Sequence, residues 1–299
     1  MKKVKNILIV LLVVIIILIC GSIFIYKYIN RINTVELKGT NEELSISTET
    51  EEKSKEQNIT NILLLGVDKE ENASDTMIIF SLDKDTNTAK LISIMRDLNV
   101  ELGPSANKHK INYAYNVGGV EESVRVVNRE FDLDINKYVK VSFDDLVDII
   151  DYIGGININI TESERRILGL STVGNVNLNG EQALSYSRIR SIDSDYIRTS
   201  RQRKVLIAIF NKAKSIPVSN YPKVISDLSS NVQTNLSTLE LLNLGESVMK
   251  LSSNELEGFR IPIEGTHYDL MDKGIYYLGW DKEKNKEAIH EFIYGENSN

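Results

Sequence analysis

Asn61-Ile-Leu-Leu-Leu-Gly-Val-Asp68 decides how this chain folds. The run from Ile62 to Val67 has the length of a strand, and it is apolar almost throughout rather than at every second position. Such a strand is buried on both faces, so helices must cover both sides of its sheet. Met77 to Leu82 has the same character. Lys90 to Met95 reads as a third strand, joined to the second through the turn-rich Asp83-Lys84-Asp85-Thr86-Asn87. From Gly119 to Phe131 the spacing becomes helical, with Val120, Val124, Val127 and Phe131 on one stripe. Val139 to Phe143 is a strand, Asp144 to Ile153 a helix closed by Gly154-Gly155, and Ile156 to Ile160 a half-buried strand. Leu178-Asn179-Gly180 punctuates the chain before a helix from Glu181 to Arg190. A longer helix runs from Thr199 to Lys214 and stops before Pro217. Residues 218 to 299 alternate helical patterns with short strands near Phe259 to Ile263. Strands interleaved with helices predict an α/β fold, a three-layer α-β-α domain with a mixed central sheet.

Upstream of that domain, residues 7 to 26 (ILIVLLVVIIILICGSIFIY) carry no charge. At about 1.5 Å per residue they span a bilayer core of roughly 30 Å, and no small-residue cleavage site follows them. The expected organisation is a cytoplasmic tail (1–6), a transmembrane anchor (7–26), a flexible stalk (27–58) and one outer domain (59–299). Lys2, Lys3 and Lys5 favour a cytoplasmic N-terminus, and the acidic, aperiodic residues 35 to 58 suit a stalk. The only cysteine, Cys20, lies in the apolar run, so no disulfide staples the domain. A formal net charge of −7 argues against nucleic acid as a partner and makes any local basic cluster informative.

Three clusters bear on chemistry. Asp68 closes the first strand, and Ser74-Asp75-Thr76 opens the second, so both carboxylates sit at strand ends, where open α/β sheets place their sites. Ser93-Ile94-Met95-Arg96-Asp97 ends the third strand in a guanidinium and a carboxylate. The densest cluster has five arginines and a lysine within residues 188 to 204. Arg188 and Arg190 point apart on a regular helix and converge only if the chain turns there, which Ser191 to Tyr196 allows. On the next helix Arg198, Arg201 and Gln202 share a face at i, i+3 and i+4. Arg203 and Lys204 fall elsewhere and read as solvated or salt-bridged. Arginine forks suit bidentate contact with phosphate, and several of them together suit a pyrophosphate. Asp68 and Asp75 nearby point to a divalent cation, Mg²⁺ (or Mn²⁺), held by one or two carboxylates and substrate oxygens. There is no GxxxxGK[ST] loop and no G-x-S-x-G elbow. His109, His267 and His290 lack metal-ligand spacing.

Taken in order, these residues resemble the LytR-CpsA-Psr family of cell-wall proteins. The matching stretches are Asn61 to Asp68, Ser74 to Met77, Ser93 to Asp97, Lys110 to Tyr115 and Gly118-Gly119. They continue through Tyr138 to Val141, Ile153 to Gly155, Leu178 to Ala183, Tyr186 to Arg190 and Arg198 to Gln202. The resemblance implies a phosphotransferase outside the cytoplasmic membrane. It would move an anionic glycopolymer, a teichoic acid or capsule-like polysaccharide, from undecaprenyl pyrophosphate to a muramic acid hydroxyl of peptidoglycan. Matched by motif, Asp68 and Asp75 would bear on Mg²⁺, while Arg96, Arg188, Arg190, Arg198, Arg201 and Gln202 would hold the pyrophosphate. Asp75 or Asp97 would be the base. The apolar strands 62 to 67 and 77 to 82 are candidates to line a channel for the lipid tail. Two departures stand out: Met95 where the family usually has Pro, and Ala73 where it usually has Arg. A protein that binds polyprenyl pyrophosphates without turnover, or hydrolyses their sugar conjugates, shares most of these features.

Overall fold

The computed structural model describes residues 34–103, 105–189, 195–251 and 256–295. Helix α1 (Thr48–Glu56) leads into strands β1 (Ile59–Asp68), β2 (Ala73–Asp83) and β3 (Thr88–Ile94). A hairpin of β4 (Asn99–Leu102) and β5 (Asn107–Lys110) and a 3-10 turn (Ile111–Tyr113) precede α2 (Ala114–Phe131). Then come β6 (Lys137–Ser142), α3 (Phe143–Tyr152), β7 (Ile156–Ile160), α4 (Glu162–Leu168), β8 (Gly174–Leu178), α5 (Gly180–Ser187) and α6 (Asp195–Lys214). The chain continues through α7 (Tyr221–Asp227), β9 (Gln233–Thr234), α8 (Thr238–Lys250) and β10 (Leu256–Ile261). A hairpin of β11 (His267–Asp272) and β12 (Ile275–Trp280) and helix α9 (Lys282–Tyr294) follow.

The central sheet has the order β10-β3-β2-β1-β6-β9. β1 with β6 and β10 with β3 pair in parallel, whereas β2 is antiparallel to both β1 and β3. Four strands therefore run one way, and their C-terminal ends meet the start of β2 along one edge. The sheet is mixed, as expected, and buried on both faces. Leu63, Leu65, Val67, Met77, Ile79, Ile92 and Ile94 pack against α2 and α9. The alternate residues Ile62, Ile78, Phe80, Leu82 and Leu91 pack against α6 and α8, with Phe80 stacked on Phe210 at 5.6 Å. This two-sided burial is why the strands read as continuous apolar runs. A third cluster joins α3, α5 and α6 to the β7–β8 hairpin.

Several boundaries follow from local chemistry. Ser142 caps α3, its side chain accepting from the Asp145 backbone, and Gly154 and Gly155 end it with φ of 81° and 79°. A side chain at Gly155 would also strike the Leu178 carbonyl at 2.8 Å. The helix expected over Glu181 to Arg190 stops at Ser187, while the one expected from Thr199 starts at Asp195.

Residues 34 to 58, read from composition as stalk, are packed on the domain. Ser47 caps α1, Leu44 and Ile46 are buried in the main core, and Ser54 meets the Tyr294 hydroxyl at 3.0 Å. Leu37, Leu44 and Ile46 dock this segment at irregular spacing, so it has no periodicity to read. Among the described residues no helix is long and apolar enough to cross a membrane. The expected tail, the anchor at 7 to 26 and the start of the expected stalk lie outside them.

Candidate functional site: a charged rim over an apolar cleft

At the C-terminal edge of the sheet the register of β1 and β2 slips. Gly66 pairs with Thr76 but Val67 pairs with Ser74, so Asp75 is the extra residue of a β-bulge. A bulge re-aims the side chain it carries. Here it brings Asp75 to Arg96, which leaves the end of β3 and donates from its guanidinium to Asp75 Oδ1. Arg96 Nε lies 3.6 Å from Asp97 Oδ2, and Lys110 Nζ donates to Asp97 Oδ1 at 2.6 Å. The result is a chain of alternating charge, Asp75–Arg96–Asp97–Lys110. Asp97 is buried and its backbone carbonyl accepts from Leu278 of β12 at 2.8 Å.

Arg188 follows α5 directly and donates to Asp68 Oδ2 at 3.0 Å. Its guanidinium lies 4.2 Å above the Phe143 ring, which fixes the plane of the fork while the side chain stays 46% exposed. Asp68 is held in turn: its Oδ1 accepts from the backbones of Glu70 and Glu71 at 2.9 and 3.3 Å. Asp68 therefore caps the loop leaving β1 and aims Arg188 at the strand ends. Arg190 lies outside the described residues.

Helix α6 divides its arginines. Arg198 is buried, and Gln202 lines the cleft described below. Arg201 is 1% exposed, with Nε donating to Glu164 at 2.9 Å and Nη1 to the Ile189 carbonyl at 3.2 Å. It thus ties α6 to α4 and to the chain after α5, beneath the rim. Burial pushes the Glu164 carboxyl up, but hydrogen bonds from Arg201 and Thr161 outweigh it and hold the pKa below its usual value. Burial, reinforced by the Glu164 charge, pushes the neighbouring Tyr186 hydroxyl up to about 12. Lys204 is exposed, as expected. Arg203 is not solvated: it donates to Phe259 O at 3.0 Å and Ser93 Oγ at 3.4 Å, fastening α6 to β10 and β3. It lies so close over Gly258 that a Cβ there would meet its Nε at 2.5 Å.

Behind the charged rim, the sheet and α6 border an open apolar cleft with a cavity volume of about 160 Å³. Leu64, Ile78, Val139 and Val141 form its floor; Leu146, Val205, Leu206 and Ile209 form its walls. Phe143, whose ring lies under Arg188, and Ser187, which precedes Arg188, line it together with Gly66, two residues before Asp68. Apolar side chains left partly accessible inside a domain mark a ligand site rather than core. An apolar slot ending in arginines and carboxylates accepts an amphiphile with an anionic head. Val141→Trp should fill it, weakening binding of a long-chain anionic lipid about tenfold while a short-chain one with the same head group loses less, because each buried methylene contributes about 0.8 kcal/mol. Titration calorimetry with the two lipids checks this.

No group of three or more His, Cys, Asp or Glu among the described residues forms a metal cage. Asp68 has both oxygens engaged, whereas Asp75 meets Arg96 through Oδ1 alone. That donor set fits Mg²⁺ in its common mode, one or two carboxylates with substrate phosphate oxygens and water completing the octahedron.

Fold and site together define an α/β protein with an apolar sheet–helix cleft that ends in charged side chains at the strand ends. The chain belongs to the LytR_cpsA_psr family, whose profile matches residues 25–292. It is 33% identical over 257 residues to polyisoprenyl-teichoic acid–peptidoglycan teichoic acid transferase TagU of Bacillus mycoides, covering 82% of this chain and 83% of that protein. The crystal structure of Bacillus subtilis TagV superposes with a TM-score of 0.68 at 30% identity, covering 80% of this chain and 98% of that one. TagT solved with bound octaprenyl pyrophosphate shares the fold, with a TM-score of 0.64 at 24% identity over 79% and 90% of the two chains. The curated relatives of this chain thus include named transferases.

Proposed function

We propose that this chain transfers an anionic glycopolymer, a teichoic acid or capsule-like polysaccharide, from undecaprenyl pyrophosphate to a muramic acid hydroxyl of peptidoglycan. The observation that carries this reading is the continuity of the apolar cleft with the Asp68–Arg188 pair, since a lipid pyrophosphate has that polarity along its length. The apolar run 7–26 would anchor the chain in the cytoplasmic membrane with its N-terminus inside. The domain would then stand where the lipid carrier presents its head group.

In this reading the tail lies in the cleft and excludes water from it. Arg188, held by Phe143 and Asp68, and Arg96, held by Asp75, take the phosphate oxygens. Gln202 bonds to the head group from α6, with Arg190 and Arg198 as further cations. Arg201 acts from below by holding α6 to α4. The acceptor hydroxyl attacks the phosphorus that bears the glycan. An O–P bond forms, the bridging P–O bond breaks, and undecaprenyl phosphate leaves with the electron pair. Asp75, or Asp97 beside Arg96 and Lys110, takes the hydroxyl proton. Asp75, with a minor share from Asp68, would hold Mg²⁺ (or Mn²⁺), which would supply charge neutralisation at the leaving phosphate.

Full-length chain in detergent, incubated with glycan-labelled polyprenyl pyrophosphate donor, Mg²⁺ and soluble peptidoglycan oligomers, should place label on the oligomers. EDTA should slow the transfer by about a hundredfold or more. Label released only to water would replace transfer with hydrolysis. Tight donor binding without product would leave a binding protein.

A further inference from the structure

Arg188 borders two depressions. One is the apolar cleft, reached past Ser187 and Phe143. The other is an open groove between α4 and α5 with a cavity volume of about 570 Å³. Its two walls differ in chemistry. Glu181, Gln182, Ser185 and Arg188 line it from α5, at i, i+1, i+4 and i+7, which share one helix face. Glu181 and Ser185 are exposed. Gln182 accepts from the Asn179 backbone N–H at 3.1 Å through Oε1, which leaves its Nε2 hydrogens to offer. Across the groove stands Ile167 at the end of α4, 43% exposed, with the buried Ile189 also lining the groove. The α4 wall is held in place: Arg165 Nη1 donates to the Leu170 carbonyl at 2.9 Å, and Glu164 binds Arg201 of α6 at 2.9 Å.

The geometry points to a saccharide subsite in this groove, holding the uncharged pyranose rings that adjoin the pyrophosphate. The groove is cationic at Arg188 and ends at Glu181, about 10 Å back along α5. A ligand that fits carries its anion at one end and no charge beyond it, as a glycan joined to a phosphate does. A second phosphate would meet the Glu181 carboxylate instead. A pyranose presents an apolar C–H face and an edge of hydroxyls. Ile167 suits the face, while Ser185, Gln182 and Glu181 offer a hydroxyl, an amide and a carboxylate to the edge. An isolated exposed isoleucine carries no information; one set across a groove from a row of polar groups marks a ligand of mixed polarity. Lipid tail and sugar then diverge, into cleft and groove, from a pyrophosphate held at the arginine that both depressions share. An acceptor strand offers the same ring chemistry, and the test separates the two sources. The inference rests on the transferase reading for the pyrophosphate at Arg188.

The test is calorimetric titration of full-length chain in detergent with three probes: undecaprenyl pyrophosphate, the same lipid carrying a neutral disaccharide, and soluble peptidoglycan oligomers. The disaccharide should tighten wild-type binding about tenfold over the bare lipid. Ser185→Trp fills the groove and Ile167→Asp makes its apolar wall polar. Each should cut that ratio to about twofold or less. Bare-lipid affinity and melting temperature should stay close to wild type, because both positions are exposed. Loss of oligomer affinity with the disaccharide ratio intact assigns the subsite to the acceptor strand. Ratio and oligomer affinity both unchanged in the two variants overturn the proposal. Because no titration needs turnover, a wild type that binds the sugar-bearing lipid without transferring it would strike the transferase reading alone.

Discussion

Arg96→Ala should lower the rate of glycopolymer transfer about a thousandfold, the magnitude expected when one fixed charge donor is removed from a phosphoryl-transfer site. Two features make the effect large. Arg96 is the only cation touching Asp75 among the described residues, and it also borders Asp97. Without it, two carboxylates face the incoming pyrophosphate with only Lys110 to offset them. Arg96→Lys keeps the charge but loses the planar fork, and recovers only a small part of the rate. The domain itself persists, because Arg96 lies at a strand end and Asp97 retains Lys110. Initial rates with the labelled donor, alongside thermal melts, check both halves. A wild-type rate from a folded Arg96→Ala variant removes this residue from the mechanism.

Glu164→Ala acts on stability instead. It strands the Arg201 guanidinium, buried at 1% exposure, and breaking such a pair costs about 3–5 kcal/mol. For a domain of this size the melting temperature should fall by about 10 °C. Glu164→Met combined with Arg201→Met removes both charges and should recover much of the loss, whereas either single change does not. The sign of the pH dependence follows from the lowered pKa of Glu164. The pair's contribution is fully present above the unfolded glutamate value of about 4.5 and fades as pH falls through the lower folded value. The double variant should therefore melt with a shallower acid limb than the wild type. Identical acid limbs would mean the pair adds nothing to stability.

Much of the fold is legible in residues 61 to 95, because strands buried on both faces leave nothing to periodicity and everything to composition. The β4–β5 and β11–β12 hairpins escape such reading. Their outer residues, such as Asn107, Tyr268, Asp269 and Met271, are exposed, and of the four strands only β12 (Ile275–Trp280) is a continuous apolar run. In the site, Asp68, Asp75, Arg96 and Arg188 stand out as charges at the ends of apolar runs. The bulge that turns Asp75 toward Arg96 depends on a register slip that no single strand encodes. Arg201 and Gln202 share a helical stripe in sequence, yet Arg201 turns toward α4 and Gln202 toward the cleft. Thr161 and Glu164 form a capping box at the start of α4. Its second role, neutralising Arg201, is a tertiary contact across 37 residues. Phe143 under Arg188 and Lys110 beside Asp97 are likewise partners that only the folded chain brings together.

The central claim is that a phosphodiester forms at the charged rim while the lipid phosphate leaves into the apolar cleft. Phosphorus-31 NMR of a reaction containing full-length chain, polyprenyl pyrophosphate-linked glycan and peptidoglycan oligomers follows every phosphorus atom at once. Polyprenyl monophosphate and an oligomer-bound phosphodiester should rise together, mole for mole, as the pyrophosphate signals fall. Polyprenyl monophosphate rising with free glycan 1-phosphate, and no phosphodiester on the oligomer, would contradict it.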